Sequence, residues 1–204
     1  MPPFNPLTLT LLSLLSPLVL SSTPSDFTNL PPATPGVFSA QIRIHIRTTV
    51  PAAWSALTDF ASYPSWNPFT RSAIVTIPSN SSVPPQFPVE GYHLILRTQI
   101  PPLPLPVDEN TPDNLLNTQF AYENITHVQE DLGRVAWEYI PDAGVQAERW
   151  QALSDLGNGT VLYESREVFS GALAGVLKTT LGKALQEGFD AQGRGLRLLL
   201  EGEE

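Results

Sequence analysis

From Val37 onward apolar and polar residues alternate. Phe38, Ala40, Ile42, Ile44 and Ile46 fall on one face, and Gln41, Arg43, His45 and Arg47 on the other. Period two with one charged face predicts a half-buried antiparallel strand. Val50-Pro51 ends it, and Ala52 to Asp59 reads as a short helix whose proline sits where a first-turn proline costs nothing. Tyr63-Pro64-Ser65-Trp66-Asn67-Pro68 then breaks regularity twice. Six further strands are predicted at about 70–78, 89–100, 118–129, 133–140, 145–154 and 160–169, mostly in hairpin order, with turns at Glu130–Gly133 and Asp155–Gly159.

The period changes again near the C-terminus. Leu173, Leu177, Leu181, Leu185, Phe189, Gln192, Leu196 and Leu199 recur every three or four residues, which predicts one apolar stripe along a helix of roughly 28 residues. Gly175, Gly182, Gly188, Gly193 and Gly195 interrupt it, each lowering helix stability by about 0.8–1 kcal/mol relative to alanine. Such a helix draws its stability from packing and is expected against the sheet. Its glycines either permit close approach or make the element mobile.

The N-terminal part reads as targeting and linker. Residues 7–20, LTLTLLSLLSPLVL, are apolar over about 14 positions, short of the ~20 that a membrane-crossing helix needs. With the small residues that follow, residues 1–21 are expected to be a signal peptide cleaved near Ser21 or Ser22 and a secreted product is expected, although MPPFNP carries no Lys or Arg. Residues 22–36 hold four prolines and no periodicity and read as a linker; 37–200 is the expected domain and 201–204 a tail. Sequons at Asn80, Asn124 and Asn158 are candidate glycosylation sites, Asn158 lying in the turn most suited to one.

Composition narrows the partners. Twenty acidic residues against 11 basic ones give a formal charge of −9, and the basic residues are scattered singly, so a nucleic-acid binder or a basic membrane-surface patch is not expected. Without cysteine, disulfides, thiolate catalysis and iron–sulfur clusters are excluded; three histidines leave little for a metal. There is no G-x-S-x-G, H-E-x-x-H, P-loop or dinucleotide motif. Neither a metal nor a cofactor is expected.

Val50-Pro51-Ala52-Ala53-Trp54-Ser55-Ala56-Leu57-Thr58-Asp59-Phe60 and Tyr63-Pro64-Ser65-Trp66-Asn67-Pro68-Phe69 carry a family likeness. So do Gly133-Arg134-Val135-Ala136-Trp137, Gly159-Thr160-Val161-Leu162-Tyr163-Glu164 and the terminal helix with Gly188-Phe189. Over about residues 37–200 the chain resembles the SRPBCC superfamily, which includes START-type lipid-binding domains, plant allergen-like ligand carriers, coenzyme Q-binding proteins and polyketide cyclases/dehydrases. The resemblance implies an α+β helix-grip fold. A curved seven-stranded antiparallel sheet wraps the long C-terminal helix, with two short helices after strand 1 and a cavity between sheet and helix.

Such a cavity is lined mainly by apolar side chains with a few polar contacts. The resemblance puts Trp66 and Asn67 at one end and Trp137 inside; their alternative roles are core packing and, for Asn67, a turn before Pro68. On the third strand Tyr92, Leu94, Leu96 and Thr98 form the more apolar face. On the fourth, Phe120, Tyr122, Asn124 and Thr126 compete with Ala121, Glu123, Ile125 and His127, and the pattern does not choose. Leu181 and Leu185 are the helix's candidates. Arg149 is the candidate inward cation, suited to a carboxylate or enolate oxygen. Glu148 and Glu164 are candidate acids, although alternation forbids Glu148 from sharing Arg149's face without a bulge. His45 reads as solvent-facing, and His93 and His127 reach a cavity only in other registers. The Pro101–Pro106 run is expected beside the cavity mouth, as a wall or as a plain connector.

These features point to a protein that binds an apolar small molecule or lipid. The alternative is a polyketide cyclase/dehydrase-type enzyme, which requires titratable groups converging inside the cavity. A protein-interaction module using the proline-rich edges is the third reading.

Overall fold

A computed structural model describes residues 27–77, 79, 81–83, 86–140 and 144–202. The predicted signal peptide, the linker up to Asp26 and the Asn80 sequon lie outside the described residues. The seven strands are β1 (Phe38–Arg47), β2 (Thr70–Thr76), β3 (His93–Gln99), β4 (Thr118–Gln129), β5 (Arg134–Tyr139), β6 (Gln146–Asp155) and β7 (Thr160–Ser170). Among the described residues the helices are α1 (Val50–Thr58) and α2 (Ala174–Glu201), with 3-10 turns at Phe60–Ser65 and Glu130–Leu132. All neighbouring strands are antiparallel in the order β1-β7-β6-β5-β4-β3-β2.

Local chemistry sets the boundaries. The Thr49 side chain accepts a hydrogen bond from Ala52 N and Pro51 occupies the first turn, so α1 starts at Val50, slightly earlier than the sequence suggests. β3 begins at His93 rather than about 89 because Gly91 turns the chain at φ +82°. Residues 27–36, read as linker, are extended and docked on the outer face of the sheet. There Asn29 Nδ2 donates to Leu132 O at 2.8 Å and Leu153 O at 2.9 Å, and Asn29 N donates to Glu164 Oε2 at 2.9 Å.

Where α2 meets the rest of the domain decides where space is left. In its second half the helix comes close. A Cβ at Gly188 would stand 2.5 Å from the Phe69 ring, and one at Gly195 2.5 Å from Trp66 O. In the first half, Gly175 faces open space and Gly182 makes only ordinary contact. The core divides accordingly. One cluster is built from Leu57, Phe60, Tyr63, Trp66, Leu94, Ile125 and Leu196, none of which lines the cavity, and reaches the cavity wall through Leu96 and Trp137. The other, built from Phe69, Phe169, Leu185 and Phe189 with Leu177 and Leu181, surrounds a cavity.

The proline-rich loop closes the side of the domain. Leu103 N donates to Pro68 O at 3.0 Å, and Leu105 lies against Gly195. The loop beyond it is held by Arg71, among the most deeply buried side chains, which donates to the carbonyls of Pro64, Asn67, Asp108 and Thr111 and to Asp113. Among the described residues no helix is long and apolar enough to cross a membrane.

Candidate ligand cavity

The cavity has a volume of about 270 Å³ and lies between the first half of α2 and the concave face of β3–β7. Leu177, Leu181 and Leu185, one helical turn apart, form its helix wall. The sheet contributes alternate residues: Leu96 and Thr98 from β3, Ala121 and Glu123 from β4, Trp137 and Tyr139 from β5, Ala147 and Arg149 from β6, Glu167 and Phe169 from β7. Phe69 and Ile100 complete the enclosure, and the exposed Phe120 stands at the rim.

Register brings the polar residues together. Ile125, Trp137, Arg149 and Glu167 are successive cross-strand partners from β4 to β7, so their side chains line one ladder on the inner face. Glu123 lies on the neighbouring ladder, opposite Tyr139. Arg149 is 3% exposed. Its Nε donates to Ser165 Oγ and one Nη to Gln192 Oε1, both at 3.1 Å. Its guanidinium carbon lies 4.2 Å from the Phe189 ring centroid, 5.7 Å from that of Phe69 and 5.8 Å from that of Trp137. Aromatic faces stabilise a desolvated cation by about 0.5–2 kcal/mol each, which offsets part of the burial penalty.

Behind Arg149 a second layer of polar groups closes on itself. Gln192 Nε2 donates to Gln151 Oε1 at 3.1 Å and to the Tyr163 hydroxyl at 3.2 Å, while that hydroxyl donates to Gln151 Oε1 at 2.6 Å. Burial pushes the Tyr63 and Tyr163 phenols upward, so neither ionises near neutrality.

The carboxyls facing the cavity behave differently from surface acids. Burial, reinforced by the neighbouring Glu167, raises Glu123 well above the usual carboxylate range, with Arg149 opposing. Burial also raises Glu167, to about 7, again against the pull of Arg149. Glu167 is only half-buried, but its open side faces the cavity. The site therefore combines one fixed cation with two carboxyls whose proton affinity burial raises, that of Glu167 to about 7.

Of the residues singled out from the sequence, Leu96, Trp137, Arg149, Leu181 and Leu185 line this cavity. Trp66 and Leu94 lie in the first core cluster and do not line the cavity, with Trp66 edge-on to Tyr63 at 5.1 Å, and Tyr92 packs at that cluster's margin. Asn67 is a turn former: its Oδ1 accepts from Phe69 N at 3.0 Å and Thr70 N at 2.9 Å.

The candidate acids Glu148 and Glu164 are on the outer face. Glu148 is exposed opposite Glu138, and Glu164 is covered by Asn29 and paired to Arg43 at 2.8 Å. His45 is exposed, His93 alternates outward from the buried Leu94 and Leu96, and His127 stacks on Trp150 outside the cavity.

Glu123 belonged to one of two β4 faces that the pattern left open, and the burial of Ile125 decides for it. Glu167 was missed. Its signal is the hairpin register that sets it opposite Arg149. Phe69 and Phe189, whose rings lie beside the Arg149 guanidinium, and Gln192 were missed as site residues too.

No family model matches the chain, and no curated protein sequence does. Solved structures do match. A START superfamily protein from Mycobacterium smegmatis aligns with a TM-score of 0.53 at 14% identity, over 80% of this chain and 97% of that one. A hypothetical protein from Helicobacter pylori aligns with a TM-score of 0.60 at 11% identity, over 81% and 89%. The major latex-like protein 151 of Panax ginseng aligns with a TM-score of 0.56 at 9% identity, over 80% and 97%. Identities this low speak to architecture alone. The strand order, the clasped terminal helix and these alignments agree on one architecture: the chain has a START-like helix-grip fold.

Proposed function

We propose that the protein binds an apolar small molecule or lipid in the cavity between α2 and the sheet, for carriage or sequestration. The observation that carries this reading is the cavity itself, about 270 Å³ walled by leucines and aromatic rings with one buried polar cluster, the composition of a small-molecule site. The superfamily resemblance supports it, since that group includes lipid-binding domains and ligand carriers. Native mass spectrometry of protein purified from its own host, followed by solvent extraction, tests it. A retained apolar compound is expected. A protein that comes out empty and fails to bind any apolar compound from a host lipid extract overturns the reading.

A second reading is favoured by one observation. Glu123, Glu167 and Arg149 converge in the cavity, and two of them are carboxyls with raised proton affinity. That set suits an enzyme of the cyclase/dehydrase type, with Glu167 exchanging a proton and Arg149 holding an enolate oxygen. Turnover of a polyketide-type substrate that is lost in Glu167→Gln supports the enzyme, whereas binding without turnover leaves the carrier.

Localisation in the secretory pathway is proposed from residues 1–21, and Asn158, exposed on the β6–β7 turn, is a sequon open to glycosylation. Export of a chain shortened to begin at Ser22, at the level of the full chain, overturns the leader assignment.

A further inference from the structure

Arg149 is a permanently charged group in an apolar wall, and the described residues leave it without a counter-charge in contact. Its Nε and one Nη are taken by Ser165 and Gln192. Nη1 donates to no protein acceptor among the described residues, and none of their carboxylates forms an ion pair with the guanidinium. A buried ion stranded in this way is costly, and an anion that reaches it recovers that cost.

Two carboxyls, Glu123 and Glu167, share the cavity wall with it. Neither makes a side-chain hydrogen bond or ion pair to another described residue inside the cavity. The remaining titratable group of the lining is Tyr139 on β5. β3 contributes Leu96 and Thr98, α2 contributes Leu177, Leu181 and Leu185, and the β1 partner of Glu167 is Ala40, so none of these elements supplies a charge. Glu138, from the outer face of β5, adds repulsion at Glu123.

The geometry is that of an apolar slot with a cation at its floor and two acids beside it that can sit neutral. We propose that the ligand is an apolar molecule ending in a single carboxylate, its anionic end on Nη1 of Arg149 and its body along Leu181 and Leu185. A proton on Glu167 then favours binding. This rests on the ligand-binding reading above and names its chemical class.

The charge arithmetic excludes the other combinations. A ligand carboxylate on Arg149 makes a neutral pair, and an ionised Glu167 on the same ladder would repel the ligand and compete for the guanidinium. An apolar amine would meet the carboxyls only in the presence of the fixed positive charge. A neutral alcohol would leave Arg149 unmatched.

Calorimetric titration with decanoate, decanol and decylamine, at about pH 6 and about pH 8.5, tests the proposal. At the lower pH decanoate is expected to bind about ten- to a hundredfold tighter than decanol, the range of a charge-assisted hydrogen bond. Its affinity is expected to fall by about tenfold per pH unit above neutrality, with proton uptake visible in buffers of different ionisation heat. Glu167→Gln is expected to bind decanoate equally at both pH values, and Arg149→Met to bind decanoate no better than decanol. If Arg149→Met does not fold, the pH response of Glu167→Gln decides.

Equal binding of decanol and decanoate, or a preference for decylamine, overturns the anionic anchor and leaves apolar-ligand binding standing. Failure of all three probes to bind overturns both.

Discussion

Gln192 accepts a hydrogen bond from the Arg149 guanidinium at 3.1 Å, and this contact ties α2 to the sheet at the floor of the cavity. The same amide donates to Gln151 and Tyr163, so one helix residue bonds to three buried groups from the sheet. Gln192→Leu has nearly the same volume but leaves a buried cation and two polar partners short of bonds. A loss of about 3–5 kcal/mol is expected, the sum of an unmet charged donor and two neutral bonds, read as a lower urea midpoint at unchanged slope. A loss under about 0.5 kcal/mol would mean that the network contributes nothing to stability.

Glu167 and Glu123 set a pH dependence of opposite sign to that of ordinary surface acids. Their raised proton affinity in the fold means that the native chain binds more protons than the unfolded chain between the usual carboxylate range and about 7. Stability from these groups is fully present below the unfolded value and is lost as pH rises through the folded one, with a slope for one group approaching about 1.4 kcal/mol per pH unit. Urea midpoints at intervals from about pH 5 to about pH 8 are expected to fall, and Glu167→Gln is expected to flatten the lower part of that trend. A midpoint that rises steadily over the same range would contradict the burial of both carboxyls.

Two glycines of one helix are expected to answer the same substitution with opposite signs. At Gly195 a Cβ would lie 2.5 Å from the carbonyl oxygen of Trp66, backbone that cannot swing away, so Gly195→Ala is expected to destabilise by about 1–3 kcal/mol. At Gly175 nothing lies within 4 Å, and alanine there is expected to stabilise by up to about 1 kcal/mol through helix propensity. Thermal unfolding of the two variants beside the parent chain checks both. Equal effects would mean that α2 does not approach the sheet as described.

What the sequence disclosed and what it hid follow from the range of each signal. Alternation over Phe38–Arg47 and the leucine stripe of α2 are local patterns, and they fixed the element order, the inward face of β1 and the helix wall of the cavity. On β6 the sequence left Glu148 and Arg149 as mutually exclusive inward candidates, and the structure turns Arg149 inward and leaves Glu148 exposed.

Glu167 was not readable as an inward acid, since in β7 the inward series Tyr163, Ser165, Glu167 and the outward series Leu162, Glu164, Arg166 are about equally polar. Only the pairing with β6 distinguishes them, and pairing is non-local. Glu164 illustrates the converse. It is buried, but under Asn29 on the outer face, by a segment whose composition gives no sign of docking. Trp66 shows a third limit: aromatic character marks a buried residue but not which half of a divided core receives it.

That docked segment carries the last prediction. Asn29 makes hydrogen bonds to Leu132, Leu153, Glu164 and Arg134, and Arg166 reaches the carbonyl of Pro31. Together they cover a carboxylate that is 3% exposed, with Arg43 as its ion-pair partner. Asn29→Ala removes the side-chain bonds and uncovers two backbone carbonyls and Arg134. The carbonyls regain water, so the expected loss is about 1–2 kcal/mol rather than the full sum of the bonds. Because the segment lies on the convex face, away from the cavity, ligand affinity is expected to stay within about twofold of the parent chain, a difference under 0.5 kcal/mol. Protease susceptibility within residues 27–36 is expected to rise, since a segment released from the sheet becomes accessible backbone. Limited proteolysis followed by mass measurement reads this directly. Cleavage there at the same rate in both proteins would show that Asn29 does not hold the segment down.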